Sequence, residues 1–457
     1  MLTYELKKTP GMPLYEALYR CIRDDILSGT LAPGEKLPSK RALAQNLEVS
    51  KITVEGAYSQ LLAEGYIRAK EKVGYFVEAV TQIPKEPVIP TGKVEANVTP
   101  EALDLTGHGA ARFPFSVWSK LQREVVLDYG EKLLLPLPNR GCLELREAVA
   151  RHLARFRGMT VSPENILIGA GTDFLYNLLI QLLGRDKIYA VEDPGYTKIR
   201  SIYAAGGVTC ISSGLDQEGV IPEQLGNAQV LHISPSHHFP TGLITSLNRR
   251  RELLDWVNSQ PDRWIIEDDY DTEFRFNARP MPAMQTMDRM GRVIYLNSFS
   301  KSLAPSFRIS YMVLPSDLMA RFRRELGFYA CTVPSFEQHT LARFLDRGYF
   351  EKHINRMRKF YKALRNRAID LLTQCEYSQR LTILEQDAGL HFLLKVKTDL
   401  SDEELVRRCA GAGIRVHALS NYYREPVPAE DRHCLVINYA GLDDRDLELL
   451  EQKLRDV

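Results

Sequence analysis

The string NSFSKSLAPSFRISY sets Lys301 among the hydroxyls of Ser298, Ser300 and Ser302, with Arg308 following in the same loop. A lysine held in a fixed loop can form an imine with an aldehyde, and hydroxyls together with a guanidinium suit a phosphate. Taken alone, the string also fits a solvated loop lysine. WIIEDDYDTEF brings Asp268 and Tyr270 to the end of an apolar run. A carboxylate facing a pyridine nitrogen keeps it protonated, so that the ring draws electrons, and a phenol can hydrogen-bond a ring oxygen. The same acidic run could hold a metal, but no neighbouring His, Asp or Glu spacing completes a ligand set, and no metal site is expected. IGAGTDFLYNLL reads as strand, small-residue turn and helix, so the amides of Gly171, Thr172 and Asp173 would face an anion. Many tight strand-to-helix turns look alike. VEDPGYTK adds Tyr196, a flat ring able to stack on a heteroaromatic.

These residues need a scaffold that collects them. Short apolar runs at 165–171, 187–195, 228–236, 263–271, 292–300 and 308–315 alternate with helical stretches, and several end in Gly, Pro, Asp or Ser. That pattern predicts an open α/β sheet of mostly parallel strands, with its loops and its ligand at one edge. From about residue 345 a long charged helix leads into a small α+β segment. A Pro-rich stretch carrying Pro84, Pro87, Pro90 and Pro100 separates this large unit from the N-terminus. The expected division is 1–79, a linker over 80–102, and 103–457.

In the small unit, Leu14, Leu18, Cys21, Ile22 and Ile26 recur at helical spacing and stop at Ser28-Gly29. Ser39 can cap a helix over Lys40–Leu47 and Ser50 another over Lys51–Glu64. Tyr66–Lys70 and Gly74–Glu78 flank a charged turn and read as a hairpin. Helix, helix, tight turn, helix, hairpin is the order of a winged helix-turn-helix. Leu43, Ala44, Leu47 and Val49 build its elbow, leaving Ser50, Lys51 and Thr53 at the start of the groove-entering helix. Ser39, Lys40 and Arg41 stand beside them, and Lys70, Lys72 and Gly74 of the hairpin can follow the DNA backbone. The alternative is a solvated three-helix module for protein contacts.

Composition permits both units. The chain has 457 residues and balances 59 Lys+Arg against 58 Asp+Glu, a net charge of +1, which excludes a generally polycationic protein. Specific DNA affinity would then need paired half-sites, hence a dimer. Seven cysteines, without a CxxC pair, suit a reduced cytoplasmic protein without structural zinc. No apolar leader and no long uncharged stretch is present, so neither export nor a membrane partner is expected.

The small unit resembles the GntR-type winged-helix regulators, whose signatures appear here as PSKRALA and VSKITVEGAY, with Lys51 where an arginine is usual. Residues from about 100 onward resemble fold-type I pyridoxal-phosphate aminotransferases through GAGT, EDPGY, PSHHFPTG, IEDDYDTEF, SFSKSLAPSFRISYMVLP and AGLHF. The pairing is similar to the MocR/GabR subfamily of transcription regulators. The resemblance implies pyridoxal 5'-phosphate as cofactor, Lys301 as its Schiff-base lysine, Asp268 at the pyridine nitrogen, Tyr270 at the 3-oxygen, Tyr196 as stacking ring and Arg308 at the phosphate. It places Arg432 and Lys198 at an effector's carboxylate, Lys198 standing where the GABA-responsive members carry an arginine. His238 replaces a commoner glutamine, Phe239 stands where aspartate aminotransferases carry asparagine, and Asp173 replaces a frequent glutamine beside the phosphate.

The implied function is a regulator that binds double-stranded operator DNA and senses a small amino-group effector through an external aldimine. A domain-swapped homodimer and contact with RNA polymerase belong to the same expectation. Two alternatives stay open: the cofactor itself is the signal, controlling vitamin B6 synthesis genes, or the chain is an active aminotransferase with an accessory DNA-binding domain.

Overall fold

The computed structural model describes residues 2–4, 6, 13–80, 102–107, 112–276, 281–385, 389–424 and 426–454. The chain divides into two compact units, 1–98 and 99–457. Of the expected linker, 81–101 lies outside the described residues.

The first unit holds α1 (Leu14–Leu27), α2 (Lys40–Asn46), α3 (Lys51–Ala63), β1 (Ile67–Lys70) and β2 (Gly74–Val77). Leu18 and Ile22 of α1, Leu43 of α2, and Val54, Tyr58 and Leu61 of α3 are fully buried together. Their helical spacing gives each helix one apolar face, and the three faces close on one another. Both expected caps form. The Ser39 hydroxyl accepts from the Ala42 amide at 3.2 Å, and the Ser50 hydroxyl from the Thr53 amide at 3.1 Å. β1 and β2 pair antiparallel with Ile67 opposite Val77 and Lys70 opposite Gly74. Only Ile67 and Val77 of this hairpin are buried, which anchors its base on the helices and leaves the turn outward.

The second unit begins with β3 (Leu103–Asp104), α4 (Phe115–Tyr129) and α5 (Leu143–Arg157). Its main sheet is built from β4 (Ile166–Gly169), β5 (Ile188–Asp193), β6 (Thr209–Asp216), β7 (Gly219–Val220), β8 (Val230–Ile233), β9 (Trp264–Asp268), β10 (Val293–Ser298) and β11 (Ser310–Val313). The spatial order is β4-β11-β10-β9-β8-β5-β6-β7. β5, β6, β8, β9 and β10 run parallel, while β11 lies antiparallel between β10 and β4, and β7 is antiparallel at the far edge. The central strands are buried on both faces, as helix-covered parallel strands must be. Along β10, Ile294 and Leu296 enter the apolar cluster formed with α6 (Thr172–Leu183), whereas Val293 and Tyr295 enter the clusters of the opposite face.

After α7 (Thr197–Ala205) and the remaining helices, a 26-residue helix spans Tyr349–Gln374. It leads to an antiparallel sheet of β12 (Leu381–Leu384), β13 (His391–Val396), β15 (His417–Ala418) and β16 (Cys434–Asn438). β14 (Ile414–Arg415) pairs with β3, tying the start of the unit to its last segment. No helix among the described residues is long and apolar enough to cross a membrane.

Candidate functional site

The sheet gathers distant residues at one edge. Register places Gly169, Ser310 and Ser298 side by side on β4, β11 and β10, and Leu296 beside Asp268 on β9. The Gly171 turn, the Lys301 loop, Arg308 and Asp268 therefore leave adjacent strand ends, where open α/β sheets bind ligands.

Strand alternation separates the three acids of EDD. Glu267 points to one face and accepts from the Met284 and Gln285 amides, and Asp269 accepts from Tyr295 O–H at 2.7 Å and pairs with Arg157 at 2.9 Å. Asp268 points to the face covered by α6. The Tyr176 hydroxyl donates to its Oδ2, and His232 Nε2 lies 3.6 Å from the same oxygen. His232 Nδ1 in turn shares a 2.6 Å hydrogen bond with the Tyr203 hydroxyl. Oδ1 of Asp268 is buried with no hydrogen-bond partner among the described residues. A buried carboxylate oxygen left unpaired is costly, and a protonated pyridine nitrogen is a donor of the kind it lacks.

A cradle for an anion stands at the start of α6. Gly171 has φ 90° and caps the helix, and a Cβ there would overlap the Arg308 guanidinium. Arg308 is itself left-handed, with φ 50°, two residues before the start of β11. Asp173 Oδ2 accepts from Lys198 Nζ at 2.7 Å and from Arg308 at 3.3 Å. The Ser298 hydroxyl donates to that of Ser300 at 2.9 Å. Helix amides, guanidinium and hydroxyls together are the donors a phosphate ester needs.

Lys301 makes no hydrogen bond or ion pair among the described residues. Its side chain stays accessible yet is ringed by protein, and the resulting desolvation holds its ammonium below the ordinary lysine value, with Asp271 opposing the shift. Asp271 Oδ2 lies 2.7 Å from His237 Nδ1, and that nitrogen also meets the Tyr270 hydroxyl at 3.2 Å. His237 and His391 rings lie 5.0 Å apart, Phe239 packs on His391 at 5.1 Å, and Tyr196 and Tyr422 each meet Phe239 edge to face. Gly389 is required here, because a Cβ would enter the His237 ring. The Tyr196 ring is 46% exposed, an open aromatic face beside the cradle. Burial pushes its phenol pKa up, and Lys198, Asp173 and Arg308 all act on it, which makes stacking ring and cradle one site. Burial holds His238 and His391 down to about 3, so both rings are neutral at pH 7, and raises Glu192 to about 8.

The structure does not bring Arg432 to this group. It lies exposed just before Cys434, at the end of β16 remote from the Asn438–His391 pairing, and among the described residues reaches only the Val427 carbonyl, at 3.5 Å. Sequence reasoning missed Tyr176, His232, His237 and Asp271. A lone histidine inside the apolar run VLHI was a signal for His232, whereas Tyr176 shows only as one more core-type residue of α6. Elsewhere, Cys142, Glu144 and His339 bring ligand-type atoms within 4.8 Å of one another, but burial pushes the Cys142 thiol up to about 12, which keeps it neutral.

In the first unit the expected DNA-facing residues divide. Ser39 and Ser50 are spent as caps, Thr53 shares a 2.8 Å hydrogen bond with Ser50, and Lys40 is paired with Glu55 at 2.8 Å. Arg41 and Lys51 are exposed and carry no ion pair among the described residues. Lys70 lies over the Phe76 ring, Lys72 adopts φ 59° in the turn, and Gly74 has φ 135°. Ile52, which the sequence reading passed over, is 79% exposed on the first turn of α3, where an apolar group can meet a thymine methyl.

Comparison with known proteins decides what the two units are. The gntR family of bacterial regulatory proteins matches residues 14–77, and aminotransferase class I and II matches residues 105–454. The uncharacterised HTH-type transcriptional regulator YdeL of Bacillus subtilis is 36% identical over 99% of this chain and 98% of its own length. The chain belongs to the GntR-family transcriptional regulators with an aminotransferase domain. The probable rhizopine catabolism regulatory protein MocR of Rhizobium meliloti is 30% identical over 97% of this chain and 93% of its own. Among solved structures, a kynurenine aminotransferase of Pyrococcus horikoshii covers 78% of this chain and 91% of its own at 26% identity, with TM-score 0.67. This regulator thus carries a GntR winged helix for DNA and a fold-type I domain of the pyridoxal-phosphate class for a small molecule. The unpaired Asp268 oxygen and the Gly171–Arg308 cradle fit that cofactor.

Proposed function

We propose that this regulator switches transcription when a small amine reacts at the cofactor held by Lys301. The observation that carries the reading is that Lys301, whose amine makes no hydrogen bond or ion pair among the described residues, leaves the same sheet edge as Asp268, a buried carboxylate with an unpaired oxygen. Pyridoxal phosphate, when bound, supplies an electrophilic aldehyde carbon and an electron-drawing ring. The chain supplies the rest. Desolvation favours the neutral, nucleophilic form of Lys301 Nζ. Asp268, buttressed by Tyr176 and His232, would accept from the ring nitrogen; Tyr270, tied to His237 and Asp271, would hold a proton toward the ring oxygen; Tyr196 would stack on the ring; and Gly171, Thr172, Ser298, Ser300 and Arg308 would hold the phosphate.

An effector amine that took the place of Lys301 would change the packing around that lysine, and the segment 80–102 would pass the change to the winged helices. Coupling of this kind is worth about 1–3 kcal/mol, or roughly 5- to 150-fold in operator affinity. The working form is a cytoplasmic homodimer on paired half-sites, with RNA polymerase as a further partner. Arg41, Lys51 and the Lys70–Gly74 turn meet the DNA. Slow half-transamination accompanies the role, since Lys301 can also move a proton.

The test is a spectral titration of the full chain with a panel of amino compounds, followed by operator binding under each condition. Compounds that perturb the cofactor's visible absorbance are expected to alter operator affinity. Sustained ketoacid production with no sequence-specific DNA binding would overturn the reading.

A further inference from the structure

We propose that Asp173 is an internal competitor for the cofactor's phosphate: it holds Arg308 and Lys198 while the cradle is empty, surrenders Arg308 when the phosphate arrives, and so sets cofactor affinity below what the same cradle could reach. The inference rests on the phosphate assignment above and concerns the one cradle residue whose charge opposes it.

Three sources of positive potential converge on this point. The first-turn amides of a 12-residue helix open there. The Arg308 guanidinium lies against Gly171, so close that a Cβ there would overlap it. Lys198 reaches in from the second residue of α7. The anion that meets them is a side chain of α6 itself, and a single oxygen, Asp173 Oδ2, accepts from Lys198 at 2.7 Å and Arg308 at 3.3 Å. All three side chains remain well exposed, at 35% for Asp173, 47% for Lys198 and 49% for Arg308. Exposed pairs are weak, so the clasp can open.

A phosphate monoester near neutral pH carries about −1.5 to −2 charges and three acceptor oxygens, against one charge on Asp173, so it takes over Arg308 and the helix amides. The carboxylate then stands beside a dianion. Lys198 remains its partner and offsets part of that repulsion. A neutral side chain of the same shape would leave the repulsion out and could donate a hydrogen bond instead. Asp173 therefore trades cofactor affinity for a cradle that stays neutralised when empty. Such a cradle lets occupancy follow the supply of cofactor, which an over-tight site would not.

The experiment titrates the apo full chain with pyridoxal phosphate and, separately, with pyridoxal, which lacks the phosphate, reading visible absorbance and intrinsic fluorescence. Asp173→Asn is expected to bind pyridoxal phosphate roughly 1.5- to fivefold tighter than wild type, the scale of one exposed charge contact. Pyridoxal affinity should not change, and Asp173→Glu, which keeps the charge, should not gain. Inorganic phosphate should compete with pyridoxal phosphate more strongly in Asp173→Asn than in wild type. Equal or weaker pyridoxal phosphate binding by Asp173→Asn would overturn the inference and make Asp173 an organiser of Arg308 instead. A wild type that takes up neither compound overturns the cofactor assignment itself, and the inference with it.

Discussion

In the reader unit, every residue assigned to DNA lies between Ser39 and Gly74, on two short helices and one hairpin whose caps and elbow are set by neighbours a few positions away. In the cofactor unit, Gly171, Tyr196, Asp268, Lys301 and Arg308 come from separate strand ends and meet only because the register of one sheet aligns them. Local order thus builds a surface, and long-range order builds a site with unpaired buried groups. The first tolerates exposed, screened charges such as Arg41 and Lys51. The second holds groups whose protonation is set by burial, among them Lys301, Glu192, His238 and His391.

The contrast can be broken by variants that strike one unit alone. Leu43→Ala empties a fully buried site in the elbow and should cost about 2–5 kcal/mol of reader stability. Operator binding would be lost in gel shifts while uptake of cofactor, read by absorbance, stays as in wild type. Asp268→Ala removes the buttressed carboxylate and should weaken pyridoxal phosphate by about 1–3 kcal/mol without changing non-specific DNA binding. Equal damage to both functions by either variant would contradict the division of labour.

Buried titratable groups should make the stability of the second unit depend on pH. His238, near Glu192 and His237, and His391, facing His237, Asp271 and Lys301, have folded pKa values lowered from 6.5 to about 3. Through these two rings the unfolded chain binds more protons between those values, so their contribution to stability rises as pH rises from 3 to 6.5, whereas buried Glu192, raised to about 8, contributes with the opposite sign between about 4.5 and 8. Each ring accounts for roughly 1–2 kcal/mol between pH 5 and 6.5. In chemical denaturation monitored on the second unit, stability of His391→Gln should rise less, or fall more, between pH 5 and 6.5 than that of wild type.

Smaller effects sharpen the reader. Ser50→Ala removes the α3 cap and should cost about 1 kcal/mol in denaturant titrations. Lys51→Ala should weaken operator binding and lower the salt slope by about 1, whereas Lys40→Ala, whose ammonium is already paired with Glu55, should change that slope less.

Sequence legibility followed the same divide. The helix starts at Lys40 and Lys51, their serine caps and the hairpin were readable because each depends on residues within one turn. The runs that became β4, β5 and β8–β11 were readable as apolar strands, but β6 and β7, where burial is partial or the strand is short, were not. Chemistry at the strand ends was visible by residue type. What was not visible is direction: alternation turns Asp268 into the site and Glu267 and Asp269 away from it, and only the packed helix brings Tyr176 to Asp268. Arg432 shows the converse, a plausible residue at a plausible spacing that the β16 register carries to the wrong end of the strand.

The most direct measurement compares operator affinity of the cofactor-loaded wild type and Lys301→Ala, each with and without the amine that most perturbs the wild-type absorbance. The predicted result is a change of roughly 5- to 150-fold in wild type and none in Lys301→Ala. An equal response in both proteins would contradict the claim that Lys301 is where the signal is received.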